Sequence, residues 1–209
     1  MNNLKIKVCG MREPVNIAEV VATQPDFLGF IFYPKSKRFV GFQSLPEVLA
    51  VVPGSIKKVG VFVNQAPEKV LEISARWELD ALQLHGEESP EFCEKMQRKG
   101  MVVIKAFSVD ESFDFIALKA YRESCDFFLF DTKGQLPGGT GQKFNWHLLN
   151  KYQLDHPFFL SGGIGPDDLN ALKEFSHPLL CGIDINSGFE ISPALKDIEK
   201  IRQFISKIR

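Results

Sequence analysis

Cys9 and Asp131 are the two side chains in this sequence best suited to moving a proton between carbon and oxygen. A thiolate can take a proton from carbon, and a carboxyl group can give one to oxygen. To act as a base, Cys9 needs something that lowers its pKa. To act as an acid, Asp131 needs a setting that disfavours its charged form, and the preceding run Phe127-Phe128-Leu129-Phe130 supplies apolar surroundings. Two small-residue turns, Ser161-Gly162-Gly163 and Ser187-Gly188, let backbone N–H groups approach an anion such as phosphate closely. His85 and Asp184 add an imidazole and a second carboxylate, and Lys35, Lys37 and Arg38 form a basic cluster. Each feature also has an ordinary structural explanation. A cysteine or histidine ending a strand can simply be packed or hydrogen-bonded, glycine pairs make turns, and a basic cluster can be a solvated face.

The elements that must position these residues follow from the hydrophobic pattern. Eight short runs rich in apolar, β-branched or aromatic residues recur along the chain: Ile6 to Cys9, Phe27 to Phe32, Val59 to Val63, Ala81 to Leu84, Val102 to Phe107, Phe127 to Phe130, Phe158 to Leu160 and Leu179 to Ile185. They are too short for helices and read as strands. Helical patterns fill the gaps. Ile198, Ile201, Ile205 and Ile208 form one apolar stripe, and Val70, Leu71 and Ala75 form another after Pro67. Pro14, Pro67, Pro90 and Pro166 stand where first helical residues belong, with Ser89 as an N-cap. Eight βα units in series predict a parallel sheet with right-handed crossovers. The count of eight, and the lack of an early G-x-G-x-x-G, favour a single (β/α)8 TIM barrel over residues 1–209 rather than an open doubly wound sheet.

A barrel brings these residues together, because its chemistry sits at the carboxyl ends of the strands. Cys9, Arg38, His85, Asp131, Ser161 and Asp184 all fall at or just after such ends. Strand parity puts Lys5, Lys7 and Cys9 on one face, so Lys7 points inward one pleat below the thiol. There it either favours the Cys9 thiolate or pairs with an interior acid. Loops after strands 7 and 8 are the usual phosphate site of such barrels. The Gly-rich segment 134–141 reads equally as a mobile cover or as a plain connection.

Composition narrows the partners. The 209 residues carry 25 Lys and Arg against 26 Asp and Glu, a formal net charge of −1, which gives no electrostatic case for nucleic acid or an anionic membrane. The start has no apolar signal core and no run is long enough to span a bilayer, so a cytoplasmic location is expected. Cys9, Cys93, Cys125 and Cys181 show neither disulfide nor metal spacing, and the last three read as small buried hydrophobes. No metal site is expected from this spacing. The polar outer helix faces favour a monomer and leave a homodimer open.

Several segments together resemble the phosphoribosylanthranilate isomerase family of tryptophan biosynthesis. They are KVCGMRE at Cys9, GFIFYPKSKRFV at Arg38, KKVGVFVN, LQLHGEESPEFC, VIKAF, FLFDTKGQLPGGTGQKFNW at Asp131, LSGGI and GIDINSGFEISPALKD. The resemblance covers nearly the whole chain. It implies a cofactor-free Amadori rearrangement of a small sugar-phosphate substrate, N-(5-phosphoribosyl)anthranilate. It assigns Asp131 as general acid, Cys9 as general base, Arg38 to the anthranilate carboxylate, Asp184 to the neighbourhood of the amino nitrogen and His85 to the rim. Ser161, Gly162, Gly163, Ser187 and Gly188 carry the phosphate expectation. The chain departs from the common pattern at Arg12, Asn186 and Ala194, where Thr, Ser and Gly are frequent. Asn186 lies beside the phosphate site and is expected to tune that contact.

Two other functions compete. One is a different aminoaldose-phosphate isomerase, of the kind that uses two carboxylates, and the thiol at strand 1 argues against it. The other is a non-catalytic phosphate-binding barrel, and the presence of both Cys9 and Asp131 argues against that.

Overall fold

A computed structural model describes residues 4–43, 46–132 and 145–209. Eight parallel strands close into a barrel in sequence order. They are β1 (Lys5–Cys9), β2 (Phe27–Ile31), β3 (Lys57–Phe62), β4 (Ala81–Leu84), β5 (Val102–Val109), β6 (Phe127–Thr132), β7 (Phe158–Leu160) and β8 (Leu180–Ile185). Closure is made by β1 and β8, in a register that sets Lys7 opposite Asp184. The eight expected strands are all present, with no end shifted by more than two residues.

The helices are α1 (Pro14–Val21), α2 (Pro46–Val51), α3 (Pro67–Trp77), α4 (Pro90–Gln97), α5 (Leu169–Glu174) and α6 (Ile198–Ile208). Proline opens α1, α3 and α4, where its missing N–H costs nothing. Ser89 caps α4 by accepting from the Phe92 N–H at 3.3 Å. The inner face of α3 differs from expectation. Val70, Ile73, Ser74 and Trp77 are its buried residues, at i, i+3, i+4 and i+7, while Ala75 faces solvent. The α6 stripe holds, with Ile201, Ile205 and Ile208 buried and Phe204 added to it.

After β5 and β6 the expected α-helices are replaced by 3-10 segments, Phe115–Tyr121 and Trp146–Lys151. A 3-10 helix rises about 2.0 Å per residue against about 1.5 Å for an α-helix, so fewer residues cover the barrel wall. Pro166 likewise opens a 3-10 turn, which leads into α5. An unexpected hairpin of β9 (Glu190–Ser192) and β10 (Leu195–Lys196) follows β8.

The apolar core has two parts. A large layer lies between strands and helices. A smaller one, Phe27, Val59, Ala81, Ile104, Ala106, Leu129 and Phe159, fills the barrel. Phe159 meets Phe27 and Phe127 edge-on, each at 5.5 Å between centroids. Cys93 and Cys125 are buried as expected, whereas Cys181 is only partly so and its thiol donates to the Phe158 carbonyl.

Candidate active site

Above the apolar filling, the carboxyl ends of the strands surround an open cavity. Of the sequence-predicted residues, Cys9, Arg38, His85, Asp131, Ser161, Gly162, Gly163, Asp184 and Ser187 line it. Gly188 stands behind. A Cβ there would collide with the Ile164 carbonyl oxygen and come within 2.9 Å of Gly165 Cα. Its bareness therefore lets the turn after β8 pack on the loop after β7. Gly162 and Gly163 adopt φ +92° and +66°, which glycine tolerates best. A Cβ on Gly162 would lie 2.9 Å from Asp131 Oδ1. Segment 134–141, read equally as a cover or a plain connection, lies outside the described residues.

Cys9 ends β1 beside a glycine of β2. A Cβ on Gly29 would be 2.7 Å from Cys9 Sγ and 3.1 Å from Lys7 Nζ. The absence of that carbon makes room for both groups. Lys7 is fully buried and its Nζ donates to Asp184 Oδ1 at 2.9 Å. Lys7 thus pairs with an interior acid, and its charge also favours the neighbouring Cys9 thiolate. The expected lowering of the thiol pKa does not result. Burial pushes Cys9 up, Lys7 pulls it down and Asp184 opposes Lys7, leaving the thiol above its ordinary value. Burial also pushes Asp184 up, with Lys7 only partly offsetting it. Burial pulls Lys7 down, but Asp184 and then Cys9 outweigh that and hold it charged.

Asp131, near the end of β6, is buried. Its Oδ1 accepts from the Thr132 N–H at 2.8 Å, and its Oδ2 lies 3.3 Å from His85 Nε2. His85 Nδ1 in turn meets Gln83 Nε2 at 3.0 Å.

Arg38 reaches the cavity wall already oriented. Its Nε lies 2.8 and 3.1 Å from the two carboxylate oxygens of Glu190, and its Nη2 lies 2.6 Å from Oε2. Lys196, fully buried, donates to Glu190 Oε1 at 2.8 Å and to Asn186 Oδ1 at 2.7 Å. Burial pushes Glu190 up, but Arg38 and Lys196 outweigh it and hold the carboxyl below its ordinary value. Asn186, expected beside a phosphate, lines the cavity with its side-chain oxygen committed to Lys196.

Gln83, Glu190 and Lys196 went unrecognised as site residues. Gln83 left a signal, a polar residue in the run Ala81-Leu82-Gln83-Leu84, two residues before His85 and so on the same face. Glu190 and Lys196 sit on strands of three and two residues, too short to leave a pattern. Among the described residues, no group of three or more His, Cys, Asp or Glu side chains could hold a metal ion. No described helix is long and apolar enough to cross a membrane.

Comparison with known proteins gives the same picture. The family model for N-(5'phosphoribosyl)anthranilate (PRA) isomerase matches residues 6–207. The N-(5'-phosphoribosyl)anthranilate isomerase of Parabacteroides distasonis is 48% identical over 206 residues, covering 97% of this chain and 92% of that one. The solved phosphoribosyl anthranilate isomerase of Thermotoga maritima superposes with a TM-score of 0.88 at 35% identity, covering 98% of each chain. A phosphoribosyl anthranilate isomerase in complex with reduced 1-(o-carboxyphenylamino)-1-deoxyribulose 5-phosphate superposes with a TM-score of 0.84 at 33% identity, again over 98% of each chain. From the barrel, its polar mouth and these matches, the chain belongs to the N-(5'-phosphoribosyl)anthranilate isomerase family and is an isomerase of the aldose–ketose type.

Proposed function

We propose that this protein converts N-(5-phosphoribosyl)anthranilate to 1-(2-carboxyphenylamino)-1-deoxyribulose 5-phosphate, with Asp131 as general acid and Cys9 as general base. The observation that carries the mechanism is the placement of Cys9, from β1, and Asp131, from β6, in the wall of one cavity. Asp131 protonates the furanose ring oxygen as the C1′–O bond breaks, and the nitrogen lone pair forms the Schiff base. The Cys9 thiolate then takes the C2′ proton, giving an enolamine that tautomerises to the ketone. A thiol held above its ordinary value is a strong base once ionised, at the expense of the ionised fraction.

The loops of Ser161 to Gly163 and Ser187-Gly188 hold the phosphate, with glycine allowing close backbone approach. Arg38, gripped by Glu190, turns its remaining guanidinium donors to the anthranilate carboxylate. Asp184 lies near the amino nitrogen and His85 supports Asp131. The reduced product analogue bound by a relative has the same two anionic ends. We further read residues 1–209 as one cytoplasmic barrel domain that works without metal or redox cofactor, and without nucleic-acid or membrane partners. We favour a monomer, with a homodimer open. The Thermotoga maritima relative is described as dimeric, and monomers have been generated from it.

The test mixes purified protein with freshly made phosphoribosylanthranilate and follows loss of its anthranilate-type fluorescence. Rapid loss that Cys9→Ser and Asp131→Asn both abolish supports the full reading. Loss that survives one substitution overturns that residue's role. Arg38→Ala should raise KM, and an unchanged KM places the anthranilate elsewhere. No loss with the unaltered protein favours a related aminoaldose isomerase or a binding barrel.

A further inference from the structure

Gln83 presents an unsolved account of hydrogen bonds. It is 1% exposed and lines the cavity. Its Nε2 meets His85 Nδ1 at 3.0 Å, and among the described residues its buried Oε1 has no hydrogen-bond partner. A buried acceptor left unmet is rare enough to call for a reason.

The two ends of an amide differ by a half-turn, so Gln83 can show His85 either a donor or an acceptor. In the arrangement present, the amide NH2 donates to Nδ1. The ring proton then sits on Nε2 and points at Asp131 Oδ2, 3.3 Å away, which must be the carboxylate. In the half-turned arrangement Oε1 accepts from an Nδ1–H. Nε2 becomes the acceptor, and Asp131 must carry a proton to donate to it. The second arrangement holds one more proton than the first, and it places that proton on Asp131.

We propose that Gln83 is a positioning residue for the acid step. Its amide turns over with the His85 tautomer, so that His85 and Asp131 load and release one proton as a unit. The inference rests on Asp131 being the general acid. After Asp131 gives its proton to the ring oxygen, Nδ1 releases its proton to solvent and Nε2 takes one up, with Gln83 turning back to donate to Nδ1. A further solvent proton then arrives at Nδ1, the Nε2 proton passes to Asp131, and Gln83 rotates to accept from Nδ1–H. The proton that Cys9 removes from C2′ leaves to solvent, so the turnover balances. Asp184 of β8 faces the pair, with Lys7 and Cys9 of β1 behind it. Lys105 of β5 and Glu88 grip the His85-Gly86 turn from its outer side. The cavity wall from β3 is Val61 and the following Val63, and Ser161 follows β7.

Two substitutions separate the states. Gln83→Glu offers acceptors only, so it pins Nδ1–H and keeps the unit loaded. Its kcat profile should extend to higher pH on the alkaline side by about one unit. Gln83→Met keeps the volume and loses both bonds. It should lower kcat by about 10- to 100-fold with little change in KM, and pull the alkaline limb down. An unmoved limb in both variants overturns the proposal, because a purely structural role would lower amplitude alone. A second reading does not need activity. In protein labelled with nitrogen-15 histidine, the His85 Nδ1 resonance, assigned by its loss in His85→Gln, should change from acceptor-type to protonated-type as pH falls. In Gln83→Glu it should stay protonated-type throughout, and a titration like that of the unaltered protein overturns the proposal. Asp131→Asn distinguishes the failures. If it keeps full turnover, the acid assignment itself falls. If it is inactive while Gln83→Glu leaves the limb and the resonance unmoved, only the role of Gln83 falls.

Discussion

Lys7 and Lys105 are both buried lysines of the barrel, each beside one carboxylate, yet they are held differently. Lys105 Nζ lies 3.3 Å from Glu88 Oε2 and donates to the carbonyls of Leu84, Gly86 and Ala106 at 3.1, 2.7 and 3.1 Å. An ammonium has three hydrogens, so four acceptors saturate it. Glu88 is equally committed, since it accepts from the backbone N–H groups of Asn64 and Gly86. The pair is a clasp that ties the loop after β3 to the loop after β4 at Gly86, the residue after His85. Lys7 has Asp184 at 2.9 Å and the thiol of Cys9. Its charge is divided between a carboxylate and a thiol rather than absorbed by carbonyls. The difference teaches that burial alone does not mark a functional charge. What marks it is a partner able to change protonation.

The sharpest way to break this comparison is to remove each ammonium in turn. Lys105→Met leaves Glu88 buried and uncompensated, which should destabilise the fold by about 3–5 kcal/mol. The molecules that do fold should keep kcat/KM within a few-fold. Lys7→Met should cost less stability, because burial already pushes Asp184 toward taking a proton, but it should lower kcat about 100-fold. Denaturant melts read against kinetics on the same preparations decide it. Equal losses of both kinds in both variants would show that the two lysines do the same job.

A milder test sharpens the role of Lys7. The Cys9 thiol stands above its ordinary value because burial outweighs the help of Lys7. Its alkylation by iodoacetamide, followed by mass spectrometry of the Cys9 peptide, should therefore have a midpoint above that of a free thiol. Raising the pH raises the thiolate fraction, so the rate climbs with pH. Lys7→Met should move the midpoint up, and Asp184→Asn, which removes an opposing negative charge, should move it down, each by about one unit. Shifts of the same sign in both variants would contradict the sharing of charge.

The smallest effect is expected beside the third buried lysine, Lys196. Ala194 in its hairpin holds φ +68° and its N–H donates to Glu190 Oε1 at 3.1 Å. A left-handed conformation costs a residue with a Cβ roughly 1–2 kcal/mol, and glycine avoids most of that. Ala194→Gly should raise stability by about 0.5–1 kcal/mol, less than the relieved strain because glycine loosens the unfolded chain. The melting temperature reads the gain, and KM should stay as it was. A loss of stability would mean that the Ala194 methyl, fully buried, is worth more in packing than the strain it carries.

Much of this arrangement was legible in the sequence because it rests on short-range pattern. Strand runs and proline positions revealed the barrel, and strand ends gathered Cys9, His85, Asp131 and Asp184 on one rim. Parity alone turned Lys7 inward. It could not say which acid Lys7 meets, since that depends on the register of β1 against β8. The 3-10 segments were read as α-helices because seven or fewer residues show no difference between the two periods. Glu190 and Lys196 were invisible because their strands are shorter than one alternation of the pleat can reveal. Gln83 was readable as an odd polar residue, but its use depends on an unmet oxygen, which only three-dimensional contacts expose.

The bond between Lys7 and Asp184 joins positions 177 residues apart. During synthesis, at about 5–20 residues per second, the first half of the pair waits roughly 10–35 seconds for the second. Until then Lys7 has no carboxylate from β8 to meet, and the seam of the barrel is open. Loss of substrate fluorescence would thus time the moment at which the newborn chain finishes closing on itself.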